Sequence, residues 1–253
     1  MIDTHTHLFA EEFKDDLSEV IKRALENGVQ KMFLPNIDAC SVEPMMKVCN
    51  TYKDICYPLI GLHPTDVKED YASQLAVLKE YSDKYNFSGI GEVGLDYYWD
   101  TTFKNEQIEA FETQVNWAIN KELPIIIHAR EAFDDLYDIM CKYKGTRLKG
   151  IFHSFTGNEE EATKLLEFNN FMLGINGVVT FKKSELGNVL KQVPLSRLVL
   201  ETDSPYLAPV PFRGRRNETS YIIHIANKIS EIYNITLAEV EEQTTINAST
   251  IFF

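Results

Sequence analysis

No apolar run in this 253-residue chain approaches the roughly 20 residues that a membrane-spanning helix requires. Its four cysteines, Cys40, Cys49, Cys56 and Cys141, include no CxxC pair. Reduced structural thiols of a cytoplasmic protein are therefore expected. Positive charge is scarce: 25 Lys and Arg stand against 38 Asp and Glu, for a net charge of −13. That balance excludes a broad basic surface coating nucleic acid, but not a small site gripping a nucleic-acid end. Metal ions and a few arginines can make such a site locally positive. No GxGxxG follows the first apolar run, which removes the common dinucleotide-binding signature. No linker, low-complexity tract or charge block divides the chain, and, with MIDTHTH beginning at Met, no targeting segment is expected.

What is present is an alternation. Eight short β-like runs are expected at Ile2–His7, Lys31–Pro35, Tyr57–His63, Ser88–Gly94, Pro124–Ala129, Gly150–Ser154, Phe171–Ile175 and Arg197–Thr202. Between them lie amphipathic stretches such as DDLSEVIKRALENG, with apolar residues three and four apart and Asn27-Gly28 as a helix stop. PIIIH and RLVLE are continuous apolar runs, as in strands buried on both faces. Strands alternating with helices imply a parallel sheet with right-handed crossovers. Eight repeats in 253 residues imply an α/β single domain, a closed (β/α)₈ TIM barrel, rather than an open doubly wound sheet. Two further helices are expected near Ser220–Tyr233 and Leu237–Ser249.

The six histidines carry the functional signal. His5, His7, His63, His128 and His153 stand at or beside strand ends, and only His224 does not, which assigns it to structure. Glu92, Glu201 and Asp203 occupy the same kind of place. A parallel barrel brings its strand C-termini to one rim, so these residues would converge at an active site there. His5 and His7, two apart on a strand, point to one face. Taken alone, an HxH pair is weak evidence; with Glu92, His128, His153 and Asp203 it makes a divalent-metal site. The expected arrangement is two ions. His5, His7 and Asp203 hold one, His128 and His153 the other, and Glu92 bridges them through its two oxygens. Such a pair activates a water and stabilises an in-line displacement. Mixed nitrogen and oxygen ligands leave Mg, Mn and Zn open. Glu92 and Asp203 are the catalytic candidates, Asp203 also as the acceptor and donor of a proton. Glu201 reads as support for a ligand.

Seven segments together resemble the TatD family of metal-dependent deoxyribonucleases, within the amidohydrolase-like superfamily. They are IDTHTHL at 2–8, GLHP at 61–64, GEVGLDYY at 91–98, PIIIHARE at 124–131, IFHSFTG at 151–157, LETDSPYLAP at 200–209 and FRGRRNE at 212–218. TTINASTIFF at 244–253 resembles the family's last helix. The likeness runs the length of the chain in order. It implies a phosphodiesterase acting on DNA, a 3′→5′ exonuclease on single strands, with a link to DNA repair. It also implies that His5, His7, Glu92, His128, His153 and Asp203 are the metal positions.

Substrate contacts are expected from His63, Arg130 and Arg213. His63 ends the third strand before Pro64 and can donate a hydrogen bond at the rim. Arg130 follows His128 by two, and its guanidinium fits a phosphate; the competing reading is an ion pair with Glu131. Arg213, Arg215 and Arg216 form a compact basic group over the expected mouth. Asp96, Tyr97 and Tyr98 are read as a loop whose tyrosines either stack on a base or pack locally. One rival is a small-molecule hydrolase on the same barrel, a phosphotriesterase, lactonase or deaminase, because one metal pair supports many chemistries. The other is a scaffold without activity, which a full ligand set argues against.

Overall fold

A computed structural model describes all residues 1–253. Strands and helices alternate as β1 Ile2–Asp3, α1 Leu17–Glu26, β2 Lys31–Pro35, α2 Val42–Thr51, β3 Cys56–Leu59, α3 Tyr71–Lys84, β4 Ile90–Asp96 and α4 Lys104–Lys121. They continue as β5 Ile125–Arg130, α5 Phe133–Cys141, β6 Gly150–Phe152, α6 Glu159–Leu166, β7 Phe171–Ile175, α7 Leu186–Leu190, β8 Leu198–Leu200, α8 Ile222–Tyr233 and α9 Leu237–Phe252. All pairings are parallel and in chain order, β1 to β3 and β4 to β8. Single bridges join the two arcs at both seams, Ile60 to Ile90 and Thr6 to Ser204. Asp203 N also donates to His5 O at 2.9 Å across the second seam. The sheet therefore closes into the expected eight-stranded barrel.

Helix boundaries follow local chemistry. In α1 the buried residues Val20, Ile21 and Ala24 share one stripe, and Gly28 at φ +81° ends it. Asn158 and Glu161 cap α6 reciprocally, and Thr236 and Glu239 do the same for α9.

β2 and β7 lie where the sequence puts them. Regular pairing in β3 stops earlier than expected because side chains take over the backbone. Asn36 bonds both Gly61 N and Gly61 O, at 2.8 and 2.9 Å, and Gln114 does the same for Leu62, at 2.6 and 3.3 Å. β4 runs on to Asp96, so Asp96 is a strand residue and not part of a loop. Gln107 holds that end by bonding Asp96 N and O, at 2.9 and 3.1 Å. Gln107 and Gln114 are seven apart, hence on one face of α4. Gly94, at φ +147°, lets β4 approach β5 so closely that a Cβ would sit 2.0 Å from His128 O.

The barrel interior holds its own small apolar cluster: Ile2, Phe33, Leu59, Ile126, Ile151, Met172 and Val199, with Ala248 and Ile251 of α9. Phe252 stacks on Phe33 at 3.5 Å and closes the end where the strands begin. Each fully buried aliphatic or Phe side chain stabilises the fold by about 1.5–3 kcal/mol. Side chains alternate along a strand, so two residues further on the same interior face reappears. There Ile126 gives way to His128, Ile151 to His153 and Val199 to Glu201.

Candidate metal centre

The interior changes character within one layer of side chains. Glu92, 3% exposed, stands at the centre of five imidazoles. Its Oε2 lies 3.0 Å from His5 Nε2 and 3.8 Å from His7 Nε2. Its Oε1 lies 2.8 Å from His128 Nδ1, 3.4 Å from His63 Nε2 and 3.6 Å from His153 Nε2. The two carboxylate oxygens thus face two different histidine sets. Asp203 Oδ1 completes the first, 3.5 Å from His7 Nε2 and 3.8 Å from His5 Nε2.

Three groups of donor atoms fall within 4.8 Å of one another: His5, His7 and Asp203; His63, Glu92 and His128; and His5, Glu92 and His153. The first brings together the three residues expected around one ion. The second differs from the expected set: His63, expected at the substrate, joins Glu92 and His128, while the His128 and His153 rings are 6.5 Å apart. Imidazole nitrogens and carboxylate oxygens converging on one point fit a divalent cation. Buried polar atoms point the same way. Nδ1 of His5, Nδ1 of His7 and Oε2 of Glu201 have no hydrogen-bond partner. A polar cluster this incompletely satisfied is costly in a protein interior unless an ion organises it.

Three carboxylates support the cluster from outside it. Asp96 Oδ2 lies 2.9 Å from His128 Nε2, on the ring side away from Glu92. Glu201 Oε1 accepts from Ser154 N at 2.6 Å and lies 3.0 Å from His153 Nδ1, in ion-pair range but off the hydrogen-bonding direction. Glu201 fits only because residue 174 is Gly: a Cβ there would meet its Oε2 at 2.3 Å. Asp3 accepts from Thr202 N at 2.9 Å and Thr202 Oγ1 at 2.6 Å, tying β1 to the turn that carries Asp203. That turn is held from the far side by Asn217, whose Nδ2 donates to Thr202 O and Tyr206 O at 2.8 and 2.6 Å. Asp203 at φ +56° and Ser154 at φ +51° occupy the left-handed region that non-glycine residues avoid.

The charges are mutually conditioned. Burial pushes the Glu92 and Asp203 carboxyls upward, but the surrounding histidines outweigh it and hold both below the usual carboxylate range. Burial lowers His5, reinforced by neighbouring His153. Burial would lower His128 and His153 too; instead Asp96 and Glu92 raise His128 to about 9, and Glu201 and Glu92 raise His153 to about 10. The carboxylates are thus biased toward their anionic forms and the His128 and His153 rings toward their protonated ones.

Above the cluster opens a cavity of about 650 Å³. Arg130 lines it, with its guanidinium 3.7 Å over the Tyr98 ring and 5.3 Å from Trp99, and it makes no pair with Glu131. Tyr97 turns away and donates to Asp135 Oδ2 at 2.9 Å. Trp99, 70% exposed, and Tyr206, 49% exposed, line the cavity too; neither was singled out in the sequence, where Trp99 follows the GEVGLDYY segment directly. The arginine loop is divided in its roles. Arg216 forms a double hydrogen bond with Asp16, both at 2.7 Å, and so fastens the loop to the start of α1. Arg23 and Glu218 make a second such pair beside it, at 2.8 and 2.6 Å. Arg213 stacks 3.7 Å over Phe181, outside the cavity wall. His224 packs against Phe212 and Tyr221 at the base of this loop.

Comparison with known proteins agrees with this geometry. The chain is 40% identical over its full length to the uncharacterized metal-dependent hydrolase YabD of Bacillus subtilis, covering 98% of that relative. It is 30% identical, again over its full length and 99% of the relative, to the 3′-5′ ssDNA/RNA exonuclease TatD of Erwinia tasmaniensis. Among solved structures, the TatD homologue YjjV of Escherichia coli K12 superposes with a TM-score of 0.93 at 25% identity, over 100% of this chain and 97% of that one. The model of the family described as TatD related DNase matches residues 2–253, and the chain belongs to that family.

Proposed function

We infer that the protein is a two-metal phosphodiesterase that removes nucleotides from the 3′ ends of single-stranded DNA. One observation carries this reading: Glu92 presents one oxygen to His5 and His7 and the other to His63, His128 and His153. A carboxylate so placed can serve two ions at once. Divalent cations bound there supply Lewis acidity and neutralise charge developing on a phosphate. His5, His7 and Asp203 would hold one of them and His63 and His128 the other, with Glu92 between the two sets and His153 beside Glu92 and His5.

The chain's own groups do the rest. Asp203 Oδ1, held ionised at the cavity floor, accepts the proton of the attacking water and returns it to the leaving oxygen. Asp96 and Glu201 keep the His128 and His153 rings in place. Arg130, splayed flat on Tyr98, offers its N–H edge to a phosphate while Trp99 and Tyr206 present ring faces to bases. The exonuclease named in Erwinia tasmaniensis, at 30% identity, supports single strands as the substrate.

The test is to incubate the purified protein with 3′- and 5′-labelled single strands of DNA and RNA, with Mg, Mn, Zn or no added metal. A lactone and a phosphotriester run in parallel. Stepwise loss of 3′-terminal nucleotides, dependent on metal, is expected. Turnover of either small molecule with the nucleic acids left intact refutes the reading.

A further inference from the structure

The metal cavity continues in two directions, and their charges differ. One branch, about 730 Å³, shares Arg130, His153, Ser154 and Thr156 with the cavity and reaches the start of α5. Its wall carries Glu131, Asp134, Asp135 and Glu161 against Lys104 and Arg130. Lys104 is already neutralised by Asp135 at 2.7 Å.

The other branch leaves past Thr156 and Val178, which line both the cavity and a depression of about 440 Å³. Phe181 and Ser184 are shared in turn with the next depression, about 430 Å³, between α7 and α8. Here the wall carries Lys182, Lys183, Lys191 and Lys228 against only Glu185 and Glu231. Glu231 is taken by Lys228 at 2.8 Å, and Glu185 accepts from Asn188 at 2.8 Å. Lys182, Lys183 and Lys191 are exposed and make no ion pair. Arg213, on top of Phe181, extends the row toward the mouth, and it too has no carboxylate partner.

A run of unpaired cations in a chain of net charge −13 does not serve solubility, which the acidic excess already secures. A polyanion leaving the cavity meets repulsion in the first branch and attraction in the second. We propose that the groove over Val178 and Phe181 is the track of the retained strand, whose phosphates lie along Arg213, Lys183, Lys182 and Lys191. This rests on the nuclease reading, and it gives Arg213 the phosphate role its position outside the cavity had left open. The track adds affinity with strand length and no chemistry.

The experiment measures binding apart from cleavage. Fluorescein-labelled oligothymidylates of increasing length are titrated with the full chain across a salt series, before and after Mn is added. The proteins are wild type, Lys182→Ala/Lys183→Ala, and Glu131→Gln from the acidic branch. Wild type is expected to bind longer strands more tightly. The double variant loses most of that gain, on the order of tenfold, and its log-affinity against log-salt slope is shallower by about 1.4, at ~0.7 per lost phosphate contact on a single strand. Glu131→Gln keeps the length gain. Unchanged length gain and slope in the double variant, or no binding by wild type, overturns the track. Binding that depends on the lysines, without cleavage after Mn, leaves the track standing and removes the nuclease reading.

Discussion

The two ends of the barrel interior are built from the same strands and obey opposite rules. Where the strands begin, Ile2, Phe33, Leu59, Ile126, Ile151, Met172 and Val199 pack against α9, and Phe252 seals them. Nothing polar is left there to satisfy. One step along the same strand faces, the residues become His128, His153 and Glu201, joined by Glu92 and His5, all of them buried except His128, which is partly exposed. The apolar end gains free energy from burial itself. The polar end loses it, because buried imidazoles and carboxylates need partners that the chain only partly supplies. The closed sheet and the apolar plug hold the polar end in place. Stability is built at one mouth and spent at the other, which is how a barrel keeps a reactive cluster fixed.

The widest separation of the two ends comes from one substitution in each. Glu92→Gln removes the shared anion while keeping its volume. Hydrolysis should fall by on the order of 10³-fold or more, since several kcal/mol of charge stabilisation go with the ions. Far-UV circular dichroism should stay as in wild type, because the strands are held from below. Full turnover in this variant, or an unfolded protein, would contradict the division. Phe33→Ala is the mirror experiment. Phe33 is fully buried between Phe252 and Tyr57, so denaturant unfolding should show a loss of about 3–5 kcal/mol. Metal stoichiometry should not change. A variant that loses its metal while keeping its stability would mean that the plug and the centre are one unit.

The apolar end was the legible one. Continuous runs such as PIIIH and RLVLE announce strands buried on both faces, and their number and spacing give the closed barrel. The meeting of the candidate ligands was legible for a related reason: a barrel has one catalytic rim, so strand-end His, Glu and Asp residues must meet there. Partners that act across the fold were not legible. His63 stands beside Glu92 and His128 because Gln114 and Asn36 bend the end of β3, and neither side chain carries a sequence signal for that. Asp96 reads as a loop residue because Gly94 interrupts the apolar run, yet β4 continues through it. The arginine loop looked uniform, whereas Asp16, some 200 positions away, claims Arg216. Such pairings depend on three-dimensional proximity that no periodicity encodes.

Acidity sharpens the comparison further. Carboxylate neighbours overcome burial and raise His128 to about 9 and His153 to about 10, so both rings are protonated at neutral pH without metal. Cations that take up both rings must displace both protons. The product of their Kd values, measured by titration calorimetry, should fall by about 100-fold per pH unit from pH 7 toward 9 and level off above the two values. The metal-free protein should do the reverse. Histidines raised on folding contribute stability that is complete below about pH 6.5 and is lost as pH climbs through 9 and 10. Its Tm should therefore decline over that window while the Tm of the metal-saturated protein holds. A metal affinity flat from pH 7 to 9 would show that the rings are already neutral.

The smallest effect concerns the boundary layer. Glu201 follows Val199 on the interior side, just past the end of β8, and pairs with His153. It belongs to the support of the cluster, and Gly174 makes room for it. Glu201→Gln keeps the shape and an acceptor for Ser154 N but removes the charge beside His153. Metal affinity should weaken by about 10–100-fold, the usual cost of losing a group that orients a ligand, with kcat at saturating metal close to wild type. Gly174→Ala should move in the same direction, because its Cβ would meet Glu201 Oε2 at 2.3 Å and force the carboxylate out of its place beside His153. If Glu201→Gln instead abolished turnover at saturating metal, Glu201 would be a member of the reacting cluster, and the line between the two ends of the barrel would have to be drawn one layer deeper.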